Sequence, residues 1–219
     1  MSDQKRPYRM KRRAESEART RLRITESAVA LHEALGPAKT TMSAIAEHAG
    51  VRRSTVYRHF RDEDELFAAC SSHWRAANPP PDPGVWATIR DPAERTAYAL
   101  RELYAFYART RRMYESLLRD EDRVPEVQRR LRDFHDYLTR AQDVLMAGRG
   151  LRGRAAQRTR AAVGHALAFP TWHSLTQVQQ LGDDDTVALM AQLVAGAADV
   201  RDERRSATSE RATLRPPPS

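Results

Sequence analysis

TMSAIAEHAGVRRSTVYRHF, residues 41–60, contains two short helical patterns on either side of a glycine. Thr41 is a favoured N-cap residue, and the apolar residues of the first pattern recur at helical spacing: Met42, Ile45, Ala46 and Ala49. Gly50 supplies the freedom in φ that a sharp turn needs. The second pattern has cations and hydrogen-bond donors outside an apolar face formed by Val51, Val56 and Phe60. The stretch predicts a helix-turn-helix, whose second helix enters the major groove of DNA.

Length and composition indicate a globular protein. A chain of 219 residues with 41% hydrophobic content can form one large or two small domains with a real core. No run approaches the roughly 18 uncharged apolar residues of a transmembrane helix, and the N-terminus lacks the apolar stretch of a signal peptide. The single cysteine, Cys70, cannot form an internal disulfide. It shares a helical face with Leu66 and Trp74, which favours a small buried hydrophobe over a redox sensor. We expect a cytoplasmic protein with no membrane segment.

Most of the formal net charge of +8 lies at the front of the chain. Residues 1–23 contain nine lysines and arginines against three acids, a net charge of +6. Beside a helix-turn-helix, such a segment can neutralise phosphates or enter the adjacent minor groove. A solvated tail with no DNA role is the alternative for residues 1–15. Residues 1–19 are predicted to form a basic disordered arm.

Flanking helices are predicted to complete a DNA-binding head over residues 20–78. Apolar residues at i, i+4, i+7 and i+11 predict a first helix over residues 21–35, which Gly36-Pro37 ends. Asp62, with a glutamate three residues on, is the N-cap of a fourth helix that links the two halves. The proline-rich run 79–84 cannot continue that helix and marks a boundary.

Helical signals continue through residues 79–200. Asp91-Pro92-x-Glu94 supplies an N-cap, a first-turn proline and an N3 acid, and so begins a helix. A shorter helix is expected around residues 113–118, and another from Pro125.

The last two helices are expected at about 155–181 and 184–199, with a bend in the first at Pro170. The charged, proline-rich tail 201–219 is predicted to be disordered. No strand-like alternation appears anywhere, so the predicted fold is all-α with about nine helices.

The run from Thr41 to Leu66 closely resembles the DNA-binding signature of the TetR, or tetracycline-repressor-like, family of transcriptional regulators. The matching residues are Thr41, Ile45, Ala46, Ala49, Gly50, Val51, Thr55, Tyr57, His59, Phe60 and Leu66. The resemblance is specific over about residues 20–66 and only architectural beyond them. It implies an N-terminal three-helix head and a C-terminal helical bundle for ligand binding and dimerisation. A helical hairpin within a core, with no DNA role, is the alternative reading of the motif.

The resemblance also implies which side chains contact DNA. Arg53, our first candidate for a bidentate contact to guanine, belongs to the residues that point toward bases, which are Arg53, Ser54, Thr55 and Arg58. The residues that mostly hold phosphates, and so set the register, are Thr41, Tyr57 and His59. For His59, packing within the protein is an equal alternative.

Three residues depart from the family pattern. Arg52 replaces a frequent serine, so the recognition helix is expected to lose a cap while it gains a phosphate contact. Ser54 replaces a frequent glycine, which restricts how closely the backbone approaches DNA. Glu63 replaces a lysine that grips the DNA backbone, and the acids around it repel phosphate. We expect Arg61 or the basic arm to take over that anchoring.

The resemblance further implies that a small molecule, bound among the C-terminal helices, changes the spacing of two heads and releases DNA. Plausible lining residues are Arg101, Tyr104, Tyr107, Phe134, His165, Phe169 and Trp172. Aromatic lining favours a hydrophobic ligand, although such stripes also occur in ordinary cores. The last two long helices, about 155–199, would pair with their copies in a second subunit, because a palindromic operator requires two heads. Closure of the monomer's own core is the alternative.

These observations predict a TetR-like, sequence-specific regulator of double-stranded DNA, acting as a repressor that a small hydrophobic ligand releases from a palindromic operator. A ligand-independent or partner-controlled regulator is the alternative. An enzyme is not expected, because the sequence has no HExxH, paired-cysteine, GxSxG or glycine-rich phosphate motif. The acids Asp183, Asp184 and Asp185 precede a helix, where acids act as caps. No cofactor and no metal are expected.

Overall fold

The computed structural model describes the backbone of residues 5–199 and the side chains of residues 8–199. The described chain forms ten α-helices: α1 (Lys5–Leu35), α2 (Met42–His48), α3 (Arg53–His59), α4 (Glu63–Ala77), α5 (Pro83–Ala87), α6 (Pro92–Asp120), α7 (Pro125–Met146), α8 (Gly153–Leu167), α9 (Phe169–His173) and α10 (Asp183–Gly196). A 3₁₀ turn (Pro37–Lys39) lies between α1 and α2, and a π-helical turn (Ser174–Val178) follows α9. No strand occurs within residues 5–199, so the predicted all-α class is confirmed. The predicted tail 201–219 lies outside the described residues.

The chain divides into two compact units. Unit 1 comprises Met1–Pro81 and Ala105–Tyr137, and unit 2 comprises Asp82–Tyr104 and Leu138–Ser219. Helices α6 and α7 therefore contribute residues to both. The units differ from the predicted domains, because residues 105–137 pack with the first 81 residues, whereas the sequence pattern assigned them to the ligand-binding half. The division of function at residue 78 stays a prediction.

The core of unit 1 contains the apolar residues that predicted the helix-turn-helix. Buried side chains from α1 to α4 are Ile24, Ala28, Met42, Ile45, Ala46, Val56, Leu66, Phe67 and Cys70. The predicted helix starts are present as well. The Thr41 hydroxyl accepts a hydrogen bond from the Ala44 backbone N–H at 3.1 Å, and the Asp62 carboxylate accepts one from Glu65 N–H at 2.7 Å. Caps of this kind satisfy donors that a helix N-terminus leaves free.

Helix α1 begins at Lys5, so the prediction of a disordered arm is wrong for residues 5–19. The charge run contains no residue that stops a helix. Pro7 lies in the first turn, where its missing N–H costs nothing. Arg13 and Glu17 form an i,i+4 ion pair at 3.1 Å, which supports the helix. The rest of the predicted arm, residues 1–4, lies outside the described residues.

Helix α6 runs without interruption from Pro92 to Asp120, so the separate helix predicted around residues 113–118 is wrong. The segment between residues 93 and 120 contains neither glycine nor proline, and nothing in it ends a helix. The predicted start is correct, since the Asp91 carboxylate accepts a hydrogen bond from Glu94 N–H at 2.7 Å.

In unit 2, the helix predicted over 155–181 is broken rather than bent. Helix α8 ends at Leu167, Ala168 is extended (φ −73°, ψ 132°), and Pro170 lies in the first turn of α9. In a continuous helix, Pro170 could not donate to the Ala166 carbonyl. The hydroxyl of Tyr104 donates to that carbonyl instead, at 2.8 Å. A tyrosine from α6 therefore satisfies the acceptor that a proline cannot serve.

The rest of unit 2 follows the prediction more closely. Helix α10 begins with three acids in its first turn, and α8 packs against it. Arg158 of α8 donates to the carbonyls of Ala197 and Ala198 at 3.0 and 2.8 Å, which ties α8 to the end of α10. None of the described helices combines the length and the low polarity that crossing a bilayer requires.

Candidate nucleic-acid interface

Seven of the eight residues predicted to contact DNA lie on α3 or at its N-cap in unit 1, and the eighth, Thr41, is the N-cap of α2. Val56 and Phe60 are fully buried and attach α3 to the core. The predicted contact residues that are exposed are Thr41, Arg52, Arg53, Ser54, Tyr57 and Arg58, whereas Thr55 and His59 are half-buried. The helix thus presents a cationic and hydrogen-bonding face outward, as a recognition helix requires.

The turn before α3 depends on Gly50. Its φ of 62° lies in the left-handed region, which favours glycine. The backbone N–H of Val51 donates to the Ala46 carbonyl at 2.9 Å, which closes the turn after α2. Arg52 occupies the N-cap of α3 and makes no side-chain cap bond, as the sequence predicted. Its side chain is exposed and available for other contacts.

Arg53 and Tyr57 lie one helical turn apart and contact each other. An Arg53 guanidinium N–H donates to the Tyr57 hydroxyl at 3.2 Å, and the guanidinium carbon lies 5.5 Å from the ring centroid. Both side chains are exposed. Because exposed contacts of this kind contribute little, Arg53 can exchange the tyrosine for a guanine edge at a small cost.

His59 is held by the protein as well as facing the surface. Its backbone carbonyl accepts a hydrogen bond from the Arg21 guanidinium, and its Nε2 is buried without a hydrogen-bond partner. Burial lowers the pKa of His59 below its ordinary value of 6.5, and the cations of Arg58 and Arg21 lower that pKa further. A neutral imidazole attracts phosphate less than a cation does, so this geometry favours the packing alternative. A phosphate contact by His59 stays a prediction.

A bracing group of Arg21, Arg61 and Glu65 secures the C-terminal end of α3. The Arg21 guanidinium lies 4.0 Å from the centroid of the Phe60 ring and 3.2 Å from a Glu65 carboxylate oxygen. The other oxygen of Glu65 accepts hydrogen bonds from the backbone and the side chain of Arg61, at 3.0 and 3.2 Å. The Arg61 backbone N–H is the largest cause of the lowered pKa of Glu65.

Sequence reasoning missed the bracing role of Arg21 and Glu65. A signal was present, because Arg21 stands three residues before Ile24 and therefore on the buried side of α1. A cation at such a position requires a partner from a neighbouring element. The identity of that partner depends on the fold and is not readable from spacing.

The acids at the start of α4 lie beside this surface. Glu63 is exposed, and Asp64 forms an ion pair with Arg129 at 2.7 Å. Arg61, which the sequence offers as the replacement anchor for phosphate, has a side chain that is 88% exposed despite its contact with Glu65. It is therefore accessible to DNA. Its role as the anchor stays a prediction.

The predicted ligand-lining residues do not lie in one unit. Tyr104, Phe169 and Trp172 are buried in unit 2, and the same unit exposes Arg101 and His165. The rings of Phe169 and Trp172 are 5.4 Å apart. In unit 1, buried Tyr107 and half-buried Phe134 belong to an aromatic cluster with Phe106, Tyr114 and Tyr137. The unit 1 cluster therefore resembles an ordinary apolar core. The predicted lining residues in unit 2 combine buried aromatic side chains with exposed polar ones.

Cys70 is buried in the head, as predicted. Its sulfur lies 3.6 Å from His32 Nδ1, and burial raises the pKa of the thiol to about 12. Burial also lowers the pKa of His32 to about 4. A neutral thiol beside a neutral imidazole is a poor nucleophile and a poor metal ligand. Among the described side chains, no group of three or more His, Cys, Asp or Glu residues is arranged to hold a metal ion.

Comparison with known proteins agrees with this geometry. Residues 24–70 match the model of the bacterial regulatory proteins of the tetR family. A TetR-like transcriptional regulator from Rhodococcus sp. RHA1 is 20% identical over 83% of this chain and 97% of its own, with a TM-score of 0.61. A protein from Mesorhizobium loti, assigned to the TetR family of transcriptional regulators, is 19% identical over 84% of this chain and 97% of its own, with a TM-score of 0.58.

A third structure is named with a ligand. FadR from Bacillus subtilis, solved in complex with stearoyl-CoA, is 18% identical over 81% of this chain and 97% of its own, with a TM-score of 0.52. No curated protein sequence matches the chain. At these identities the structures show the fold, and the family model identifies the helix-turn-helix domain. Residues 24–70 therefore form a DNA-binding domain of the tetR-family type, and the chain has the fold of TetR-like transcriptional regulators.

Proposed function

We propose that this protein is a TetR-family transcriptional regulator, a homodimeric repressor that binds a palindromic operator through α3 and is released by a small hydrophobic ligand. The observation that carries the proposal is the bracing of α3. Its apolar side is fully buried, its C-terminal end is fixed by Arg21 and Glu65, and its outer face exposes arginines. A helix positioned in this way can read base edges without ordering itself first.

Within this surface, Arg53 reads a base and its neighbours set the register. Arg53, Ser54 and Arg58 are exposed, so each is available to contact base edges in the major groove. The exposed hydroxyl of Tyr57 suits a phosphate oxygen, and so does the Arg52 side chain at the start of the helix. The Thr41 hydroxyl accepts the cap bond of α2, and its O–H can still donate to a phosphate oxygen.

The dimer forms through α8 and α10. On α10, Leu189 and Leu193 stand one turn apart, and each is 43% exposed. On α8, the small residue Ala161 is exposed and permits close helix approach. Exposed leucines at this spacing form an apolar face that a second copy can cover. Two copies related by a two-fold axis present two α3 helices to the two halves of a palindrome.

The ligand is hydrophobic and binds in unit 2. The buried aromatic side chains of Phe169 and Trp172 form the apolar surface, and exposed Arg101 and His165 can bind a polar or anionic end of the ligand. The stearoyl-CoA bound by FadR of Bacillus subtilis supports a long apolar ligand with a polar head. Such a ligand releases DNA only if it prefers the head spacing that does not fit the operator.

The first test is selection of bound duplexes from a random pool by the purified full-length protein. An inverted repeat is expected, with half-sites about one helical turn, or a multiple of it, apart. Arg53→Ala should lose the preference at one base position in each half-site. Arg132→Ala, which removes an exposed arginine from α7, is the matched control and should retain it. Enrichment of no sequence would refute the proposal.

Two further experiments test the dimer and the ligand. Leu189→Glu with Leu193→Glu should give monomers in light scattering and weak operator binding, whereas Val85→Glu on exposed α5 should change neither. Saturated acyl-CoA thioesters, the matching free fatty acids and planar aromatic acids are then tested for thermal stabilisation and for release of the operator. A compound that does both supports the sensor. If none does, the ligand-independent or partner-controlled alternative replaces it.

A further inference from the structure

The first four turns of α1 form a helix on the outside of unit 1. All described side chains from Tyr8 to Arg19 are exposed, and the first buried residue of the helix is Ile24. The hydrogen bonds and ring contacts of these described side chains stay within α1: Arg13 with Glu17, Thr20 with the Ser16 carbonyl, and Arg12 with the Tyr8 ring. At about 1.5 Å per residue, residues 5–20 are about 24 Å long. Such an extension is long enough to follow several phosphates.

Four arginines share one side of this helix, and we name them the basic stripe: Arg9, Arg12, Arg19 and Arg23. At about 100° per residue, they fall within an arc of about 80°, and the neutral Ser16 occupies the gap between them. All four are exposed. None forms an ion pair with a carboxylate of the described residues. The stripe therefore presents positive charge that no ion pair within the described chain engages over almost four turns.

Of the acids on this part of α1, Glu15 and Glu26 flank the stripe without forming an ion pair with it, and Glu17 lies on a different side. Glu17 pairs with Arg13, and its spacing of four residues from Arg21 places it on the side of α1 that faces α3. Arg21, one turn later, contacts His59 and Glu65. The cations on the side of α1 that faces α3 are therefore paired, whereas the arginines of the basic stripe lie on another side and form no ion pair with the described residues. At Arg21 the helix passes the end of α3, so the stripe begins beside the surface assigned to DNA.

We propose that the basic stripe binds the phosphate backbone of the duplex that flanks each operator half-site. The inference rests on the proposed function and adds a second, sequence-independent contact to it. Helical arginines at one-turn spacing match a polyanion whose charges are dense, and duplex DNA carries about one charge per 1.7 Å of axis. Because the stripe contacts no base edge, it strengthens binding without changing the selected sequence.

A membrane surface is the other polyanion that basic helices bind, and this helix lacks the apolar face that membrane binding requires. The large exposed apolar residues on this part of α1 are Tyr8, Met10 and Leu22. At about 100° per residue, Met10 lies roughly on the opposite side of the helix from the other two. Opposite the stripe, Met10 is joined by the small residues Ala14 and Ala18, and no second large apolar side chain of the described residues completes a face there. The observations therefore favour DNA.

The test compares two double variants with the same net charge. Arg12→Gln with Arg19→Gln removes two stripe cations, and Lys11→Gln with Arg13→Gln removes two exposed cations that lie about 100° to either side of Arg12. Gln retains helix propensity, and far-ultraviolet circular dichroism verifies that both variants fold. Dissociation constants for a minimal operator, and for the operator with about 10 base pairs added at each end, are measured between 50 and 200 mM KCl.

On the longer duplex, the stripe variant should reduce the salt slope by about 1.8 per protomer. Over that fourfold range of salt, its affinity should fall about 12-fold less per protomer than that of the wild type. The control variant should follow the wild type, and the selected sequence should not change.

Three results would overturn the inference. The first is an equal salt slope for the stripe and control variants on the longer duplex, and the second is a loss of slope by the stripe variant that is as large on the minimal operator as on the longer duplex. The third is that the stripe variant keeps its DNA slopes but loses binding to anionic phosphatidylserine vesicles. If the random pool yields no operator, the proposed function fails, and the stripe is then tested by the same slopes on an arbitrary duplex. An Arg53→Ala protein that keeps its slope but loses its operator would show that the two contacts are separate.

Discussion

Replacing Arg21 with alanine should loosen the C-terminal end of α3 and destabilise the protein. The side chain makes a charge-assisted hydrogen bond to the His59 carbonyl, a contact with the Phe60 ring at 4.0 Å and an ion pair with Glu65 at 3.2 Å. Typical values are about 1.5–3 kcal/mol for the hydrogen bond, about 0.5–1 for the ring contact and about 0–1 for the ion pair. The contacts share one side chain that is 40% exposed, so the expected loss is about 2–3 kcal/mol rather than their sum.

Urea and thermal unfolding of the full-length protein measure this loss. For a chain of about 200 residues, 2–3 kcal/mol corresponds to a decrease in Tm of roughly 5–10 °C. Arg23→Ala, two residues on and exposed, is the matched control and should change the free energy of unfolding by less than about 0.5 kcal/mol. Arg21→Lys should fall between them, because lysine keeps the charge but not the planar fork. If the Arg21→Ala and Arg23→Ala proteins are equally stable, α3 is not braced from α1 and the reasoning is wrong.

Burial holds the pKa of His32 at about 4 in the folded protein, below its ordinary value of 6.5. The unfolded chain therefore binds a proton that the folded protein does not, so the free energy of unfolding is highest above about pH 6.5 and decreases as the pH falls toward 4. The full effect is about 3 kcal/mol in urea unfolding, and His32→Gln should remove this pH dependence. Gly36→Ala should cost about 3 kcal/mol, because φ is 91° and the new Cβ would overlap the carboxylate of Asp120. Gly50→Ala should cost only about 1–2 kcal/mol, since φ is 62° but the space is open, and equal costs in denaturant unfolding would contradict this difference. The thiol of Cys70 should react with an aromatic disulfide reagent far more slowly in the native protein than in urea, because it is buried and its pKa is raised to about 12, and rapid native labelling would disprove that burial.

Local chemistry made much of the head predictable from sequence. Thr41, Asp62 and Asp91 each cap a helix through a bond to a backbone N–H three residues later, and such bonds depend on neighbouring residues alone. The turn at Gly50 depends equally on one residue. The outer face of α3 followed from these boundaries, because helical spacing determines which residues point away from Val56 and Phe60.

The errors concern features that local signals do not determine. The charge run before Arg21 has a composition typical of disordered tails, yet it contains no helix breaker and continues α1. Pro170 predicted a bend, but the helix breaks at Ala168, and the freed Ala166 carbonyl finds its partner in Tyr104, 62 residues away in the chain. The bracing of α3 by Arg21 similarly depends on Glu65, which is 44 residues away in the chain. Such pairings belong to the tertiary fold and not to any window of sequence.

The bond between Tyr104 and Ala166 also bears on which chemical groups the proposed ligand of unit 2 could place beside it. The hydroxyl is the only hydrogen-bond donor of the Tyr104 side chain, and it already donates to the Ala166 carbonyl, which Pro170 cannot serve. A ligand that competes for this donor would leave a buried carbonyl without a partner, at a cost of about 1–3 kcal/mol. An acceptor group placed there is therefore penalised, while a hydrocarbon surface is not. If the proposed ligand contacts Tyr104, the break in α8 therefore disfavours ligands that present a hydrogen-bond acceptor there.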